Sequence, residues 1–242
     1  LWAAEAKGLL PWLLLNDDGI ESAALSAVRF NKTAVTSLLA QEKLWLGEGQ
    51  NAYDLLTNTF TAATIADSLS GFGISTGEDR RTDLPQDPQN SSVMRMSLNR
   101  LNAIYPEGDA RRASMFNISA SENTATLIIK DSRVVELLPK REINLLFAEA
   151  AWKSGHLEEA KNYLSTAATG ATEDYAALTE ETFAAALLLE RQRLLAGTGQ
   201  RFFDLIRFDK VSAYIPEFTD ADVDKGAAWW PLSANSMNSN SW

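Results

Sequence analysis

The residues that usually carry covalent, acid–base or metal chemistry are scarce in this chain of 242 residues. It has one histidine, His156, and no cysteine. Disulfides, thiolate metal sites and cysteine nucleophiles are therefore excluded. A single imidazole leaves almost no room for a histidine-based zinc site or a Ser-His-Asp triad. Paired carboxylates occur at Asp17/Asp18 and Glu180/Glu181. A glycosidase needs two that face each other across the substrate, roughly 5 to 10 Å apart. These pairs are adjacent in the chain and read as a loop and a helix start. Asn16 to Glu21 lacks the alternating ligand spacing of a calcium loop, and no glycine-rich strand-to-helix phosphate loop is present. The reading is of a protein that is not an enzyme and uses no metal and no cofactor.

Composition narrows the partners. Acids outnumber bases 32 to 22, a net charge of −10. That sign repels phosphate backbones, and no basic stripe offsets it, so nucleic acid is excluded as a partner. Hydrophobic residues make up 45% of the chain, which is globular rather than disordered. No apolar run approaches the ~18 residues that a membrane helix requires; the longest, Leu9 to Leu15, is interrupted by Pro11. The first residues have neither the charged and apolar regions of a signal peptide nor an initiator Met. Leu1 is thus expected to be other than a native N-terminus, with a leader removed or a longer chain upstream. Seven tryptophans are many for this length. They suit a core, an interface or a sugar-stacking surface.

Two segments share one pattern. Lys32 to Phe60 and Glu142 to Ala168 align when Gly47 is placed on Gly155. Leu39 then falls on Phe147, Ala40 on Ala148, Ala52 on Ala160 and Leu56 on Leu164. A large residue beside a small one, a turn glycine, then Ala and another large residue is the tetratricopeptide arrangement. Small residues let antiparallel helices approach, and large ones fill the groove between them. The two glycines lie about three repeat lengths apart. Between the hairpins, Asp67 to Asn90 is rich in Gly, Ser, Asp and Pro and reads as loop. The β-branched run from Ala125 to Ile129 reads as a short strand.

Beyond the second hairpin, Thr179 suits an N-cap, Glu180 and Glu181 suit the positive helix end, and Leu178 can staple to Phe183. Phe183, Leu187, Glu190 and Leu194 then share one face. A carboxylate on an apolar stripe needs a cation, because burying it unpaired is costly. Arg201 and Arg207, just past the Gly197/Gly199 break, are the expected partners.

The chain from Glu142 onward resembles the C-terminal signature of the SusD/RagB family. Glu142, Leu145 and Ala148-Glu149-Ala150 are similar to one block of that family, and Leu178 to Glu181 to a second. Glu190 to Arg207 resembles a third, and Pro231 to Ser241 its tail. Pro139 stands where the family usually has Arg, Leu194 and Thr198 where it usually has Glu, and Ser233, Ser236 and Ser241 break the tail pattern. The first hairpin resembles the family's third tetratricopeptide-like unit. Family members are about twice this length, which implies a missing N-terminal portion and a missing lipidated cysteine anchor.

The resemblance implies an all-α dominated, SusD-like fold in one domain over 1–242. Its parts are a hairpin at 32–60, an irregular insertion at 61–135, a second hairpin at 142–168, and a C-terminal helix and arm at 178–242. Glu190, Arg201, Asp204 and Arg207 are then scaffold, as ion pairs and helix caps. The implied function is non-catalytic capture of glycans or related nutrients at the outer-membrane surface, for delivery to a TonB-dependent transporter. The alternative is a tetratricopeptide-like scaffold binding a peptide or protein. Sugars present an apolar face rimmed by hydroxyls, so a glycan site wants an aromatic platform with planar polar groups. Phe72, Arg80, Arg81, Gln89, Asn90 and Tyr105 supply those types in the insertion. Anchoring of the loop is the other reading for Phe72 and Tyr105.

Overall fold

The computed structural model describes residues 2–12, 14–22, 30–60, 72–75, 95–128, 134–138 and 140–225. Helices dominate, as the periodicity predicts. The chain divides into two compact units, Leu1–Thr198 and Gly199–Trp242.

In the first unit, α1 (Trp2–Leu9) leads through a two-strand ribbon, β1 (Leu14–Leu15) and β2 (Glu21–Ser22), to the first hairpin. That hairpin is α2 (Lys32–Trp45) and α3 (Gly49–Thr59). Asn31 caps α2, its side chain accepting from the Ala34 N–H at 2.9 Å. The turn is forced by Gly47, whose φ of +77° is the left-handed region that side chains resist. The Glu48 N–H reaches back to the Lys43 carbonyl at 2.8 Å and closes the helix end. The second hairpin, α6 (Lys140–Lys153) and α7 (Leu157–Ala167), repeats the device. Gly155 has φ +81°, and the His156 N–H bonds the Ala151 carbonyl at 2.8 Å. Every aligned Leu, Phe and Ala of the pattern is buried, with Ala40, Ala52, Ala148, Ala160, Leu56 and Leu164 fully enclosed. The hairpins pack through α3 on α6. Their shared core joins Leu44, Leu56, Phe60, Ile143, Leu146 and Phe147.

Helix α8 (Glu180–Leu194) lies against α6 and α7. Thr179 begins it as expected, its N–H donating to the Thr182 hydroxyl at 2.9 Å. Phe183, Leu187, Glu190 and Leu194 are all buried.

The expected irregular insertion is more regular than its composition suggests. It holds β3 (Phe72–Ser75), β4 (Arg95–Ser97), α4 (Leu98–Ile104), α5 (Arg111–Met115), β5 (Phe116–Ser119), β6 (Thr124–Leu127) and β7 (Val134–Leu138). β3 pairs antiparallel with β7, and β6 lies between β4 and β5 in a second antiparallel sheet. Leu101, Tyr105, Phe116 and Ala125 make a small core of their own. Elements this short have little local propensity signal; their register is set by ladders and by this cluster.

The second unit carries α9 (Gln200–Arg207), α10 (Val211–Tyr214) and α11 (Asp220–Asp224). Asp204 pairs with Arg207 one turn on at 3.0 Å, and the Arg201 guanidinium lies 4.8 Å from the centre of the Tyr214 ring. Asp209, at φ +54°, ends α9, with the Lys210 N–H bonded to the Leu205 carbonyl at 2.8 Å. Thr219 and Asp222 cap α11 reciprocally.

Candidate functional site

The insertion is fastened to the helices by buried charge. Asp109 precedes α5, and its carboxylate takes the Arg111 guanidinium side-on, at 2.9 Å from Nε and 2.6 Å from Nη2. The remaining edge of Arg111 pairs with the Glu190 carboxylate on α8. Arg193, one turn along α8, bonds the other Glu190 oxygen at 2.5 Å, Glu173 at 2.6 Å and the Ile104 carbonyl at 2.6 Å. Two guanidiniums thus serve three carboxylates, and Glu173, the one partly in water, carries the surplus charge toward solvent. Glu190 therefore finds its cations in Arg111 and Arg193, which corrects the expectation of Arg201 and Arg207. Arg193 already sits one helical turn away on the same helix. Arg111 arrives from the insertion, 79 positions distant in sequence.

Burial on its own would raise the Asp109 carboxyl and lower Arg111. The hydrogen bonds between them outweigh it, holding Asp109 below the usual carboxylate range and Arg111 above its ordinary value. Tyr175 is buried beside this network, and burial together with the Glu190 charge pushes its hydroxyl well above the usual phenol range. The joint is a structural ion-pair network in which every carboxylate meets at least one guanidinium.

A second joint ties the hairpins to α8. Glu142, fully buried, accepts from Gln41 Nε2 at 2.7 Å and lies 3.5 Å from Arg191. Glu149, also fully buried, meets Lys153 at 3.1 Å. Arg141 Nε donates to the Leu194 carbonyl. Glu142, Glu149 and Glu190, three of the acids in the motif blocks, are thus buried and paired with cations.

Of the residues expected to meet a ligand, Tyr105 must be corrected. It is 1% exposed, with Phe116 edge-on at 5.3 Å and its hydroxyl donating to the Arg193 carbonyl at 2.6 Å. No ring face is left for a sugar; Tyr105 anchors the insertion, the other of its two readings. Phe72 opens β3, paired with Leu138. Arg80, Arg81, Gln89 and Asn90 lie outside the described residues. Asp109, Arg111 and Arg193 were missed at the sequence level. The i,i+3 spacing of Glu190 and Arg193 was a usable signal, whereas nothing local joins Arg111 to Glu190.

Residues 142–241 match the model of the SusD family. No curated protein matches the chain. Solved structures do. A SusD superfamily protein from Bacteroides thetaiotaomicron VPI-5482 superposes with a TM-score of 0.73 at 20% identity, over 98% of this chain and 63% of its own. A second such structure from the same organism gives 0.60 at 22% identity, over 85% of this chain and 53% of its own. A SusD-like carbohydrate binding protein from Bacteroides vulgatus ATCC 8482 gives 0.60 at 17%, over 85% and 49%. The chain spans between about half and just under two thirds of the length of these structures. The likeness expected from the C-terminal motif blocks is thus met in sequence over 142–241, and the fold is that of SusD superfamily structures.

Proposed function

We propose that this protein captures glycans or related nutrients at the bacterial cell surface without transforming them, and passes them to a TonB-dependent outer-membrane transporter. The observation that carries the reading is the family match over residues 142–241 on a fold shared with SusD superfamily structures, one of them a carbohydrate binding protein. The burial of Glu142, Glu149 and Glu190 in ion pairs withholds these three carboxylates from the facing pair that a glycosidase presents across a cleft. Among the described residues no helix is long and apolar enough to cross a membrane. The family resemblance, rather than any feature of these residues, is what suggests attachment to the outer membrane through a lipid anchor.

For the ligand platform we retain Phe72, Arg80, Arg81 and Asn90 and drop Tyr105. An aromatic ring supplies stacking, and guanidinium and amide groups read the hydroxyl rim. A glycan array followed by calorimetry tests this. The expected result is micromolar-to-millimolar binding, about −8 to −4 kcal/mol, weakened at least tenfold by Phe72→Ala combined with Arg80→Ala and Arg81→Ala. Binding unchanged in that variant would discard these residues, and silence across the array would overturn the function.

A further inference from the structure

The second helices of the two hairpins, α3 and α7, both pack on α6. They are bridged at the turn end by three side chains. Tyr53 of α3 stacks on His156, the residue that precedes α7, with ring centres 4.5 Å apart and planes 19° from parallel. The Tyr53 hydroxyl donates to Glu159 Oε2 at 2.8 Å. Partial burial and that bond to Glu159 push the phenol up to about 12, so it stays a donor. Tyr53 is set against the hairpin core, where Phe147 in turn stacks on Tyr163 at 4.7 Å. The stack on His156, the bond to Glu159 and the packing on that core together restrain the Tyr53 ring.

What distinguishes this trio from ordinary packing is its open side. Tyr53 is half-buried, but His156 and Glu159 are exposed. One imidazole face is covered by Tyr53, and the other is turned to water. Among the described residues no donor meets Glu159 Oε1. At the same end, Asn51 Nδ2 is held on Glu48 at 2.9 Å and Gln50 Nε2 on Asp54 at 2.8 Å, so planar amides are already oriented. A flat ring open on one face, with an acceptor oxygen beside it, matches a pyranose: C–H groups on the ring, hydroxyls at the rim. Because the ring is held before any ligand arrives, little ordering cost remains at binding. Glu48, Asp54 and Glu159 disfavour anionic ligands and select a neutral sugar.

We propose that Tyr53, His156 and Glu159 form a glycan contact separate from the insertion, with a pyranose unit stacked on the open face of His156 and a hydroxyl donated to Glu159 Oε1. The proposal rests on the glycan reading above and adds a second point of attachment, as a long chain would use.

His156 is the only histidine in the chain, so its imidazole ring C–H signals are a unique probe. The full chain is titrated with maltoheptaose, xylohexaose and mannohexaose, together with any array hit, by NMR and by calorimetry. For the saccharide that binds, the His156 signals are expected to shift along the calorimetric isotherm. His156→Ala is expected to weaken binding about tenfold, with the melting temperature retained. Tyr53→Phe, which keeps the ring but frees Glu159, is expected to give a smaller loss. A saccharide that binds while the His156 signals stay still and His156→Ala binds normally would overturn this site and leave the glycan reading standing. No binding of any saccharide would overturn both.

Discussion

Arg111 and Glu190, 79 positions apart in sequence, form a buried ion pair that joins α5 of the insertion to α8 of the helical scaffold. The pair lies in a run of contacts from Asp109 through Arg111, Glu190 and Arg193 to Glu173. The joint fastens to α8 the part of the insertion that shares the small core of Leu101, Tyr105, Phe116 and Ala125. Removing one partner leaves the others buried and uncompensated, which costs about 3 to 5 kcal/mol. Arg111→Ala and Glu190→Ala are each expected to lower stability by that amount in urea unfolding. The double variant is expected to lose much less than the sum, because each change removes the other's stranded charge. Additive losses would show that the two side chains act independently.

Gly49 marks where the hairpins touch. A Cβ at this position would lie 2.5 Å from Lys153 Cβ and 3.2 Å from the Lys153 carbonyl oxygen. Both obstacles are fixed to the backbone of α6, so neither can swing away. Gly49→Ala is expected to cost about 1 to 3 kcal/mol through overpacking, a fall of about 2 to 4 °C in melting temperature for each kcal/mol. Gly8, with no neighbour within 4 Å of such a Cβ, is the control, and Gly8→Ala should leave the melting temperature within a degree or two.

The hairpins were legible because their information is local. Gly47 and Gly155 fix turns through their own φ, and the Ala and Leu positions repeat at one spacing, so a pattern read along the chain gave both elements. The capping at Thr179 was legible for the same reason. Of the insertion only β6, close to the run read at Ala125 to Ile129, was legible; β4 is defined by a ladder to β6 some 27 to 31 residues further along the chain, and β5 by a hairpin of four pairs, rather than by their own composition. Glu190 shows the divide within one residue. Its need for a cation followed from the helix face it shares with Phe183 and Leu187. Its choice of Arg111 depended on where the insertion folds back, which no spacing reveals.

Tyr105 separates anchoring from ligand contact. Its ring packs against Phe116, and its hydroxyl bonds a helix carbonyl at 2.6 Å. Tyr105→Phe is expected to cost about 1 kcal/mol, and Tyr105→Ala about 3 to 5 kcal/mol from the cavity. In both variants the folded protein is expected to bind glycan with unchanged affinity by calorimetry. A loss of affinity in Tyr105→Phe without loss of stability would return Tyr105 to the ligand site.

Acid should release the insertion through Asp109. The carboxyl is held below its ordinary value, so the folded state binds this proton less readily than the unfolded state does. The stability it contributes is complete above the unfolded value of about 4. It is lost as pH falls through that value and the folded one beneath it. Urea midpoints measured from pH 6 down to pH 2.5 are expected to hold nearly level at the upper end and then decline. Asp109→Asn keeps the shape of the side chain but cannot titrate, so its midpoint is expected to start lower and fall less steeply over the acid range. Parallel curves for the two proteins would show that the acid sensitivity arises at other carboxylates and that the Asp109–Arg111 contact contributes none of it.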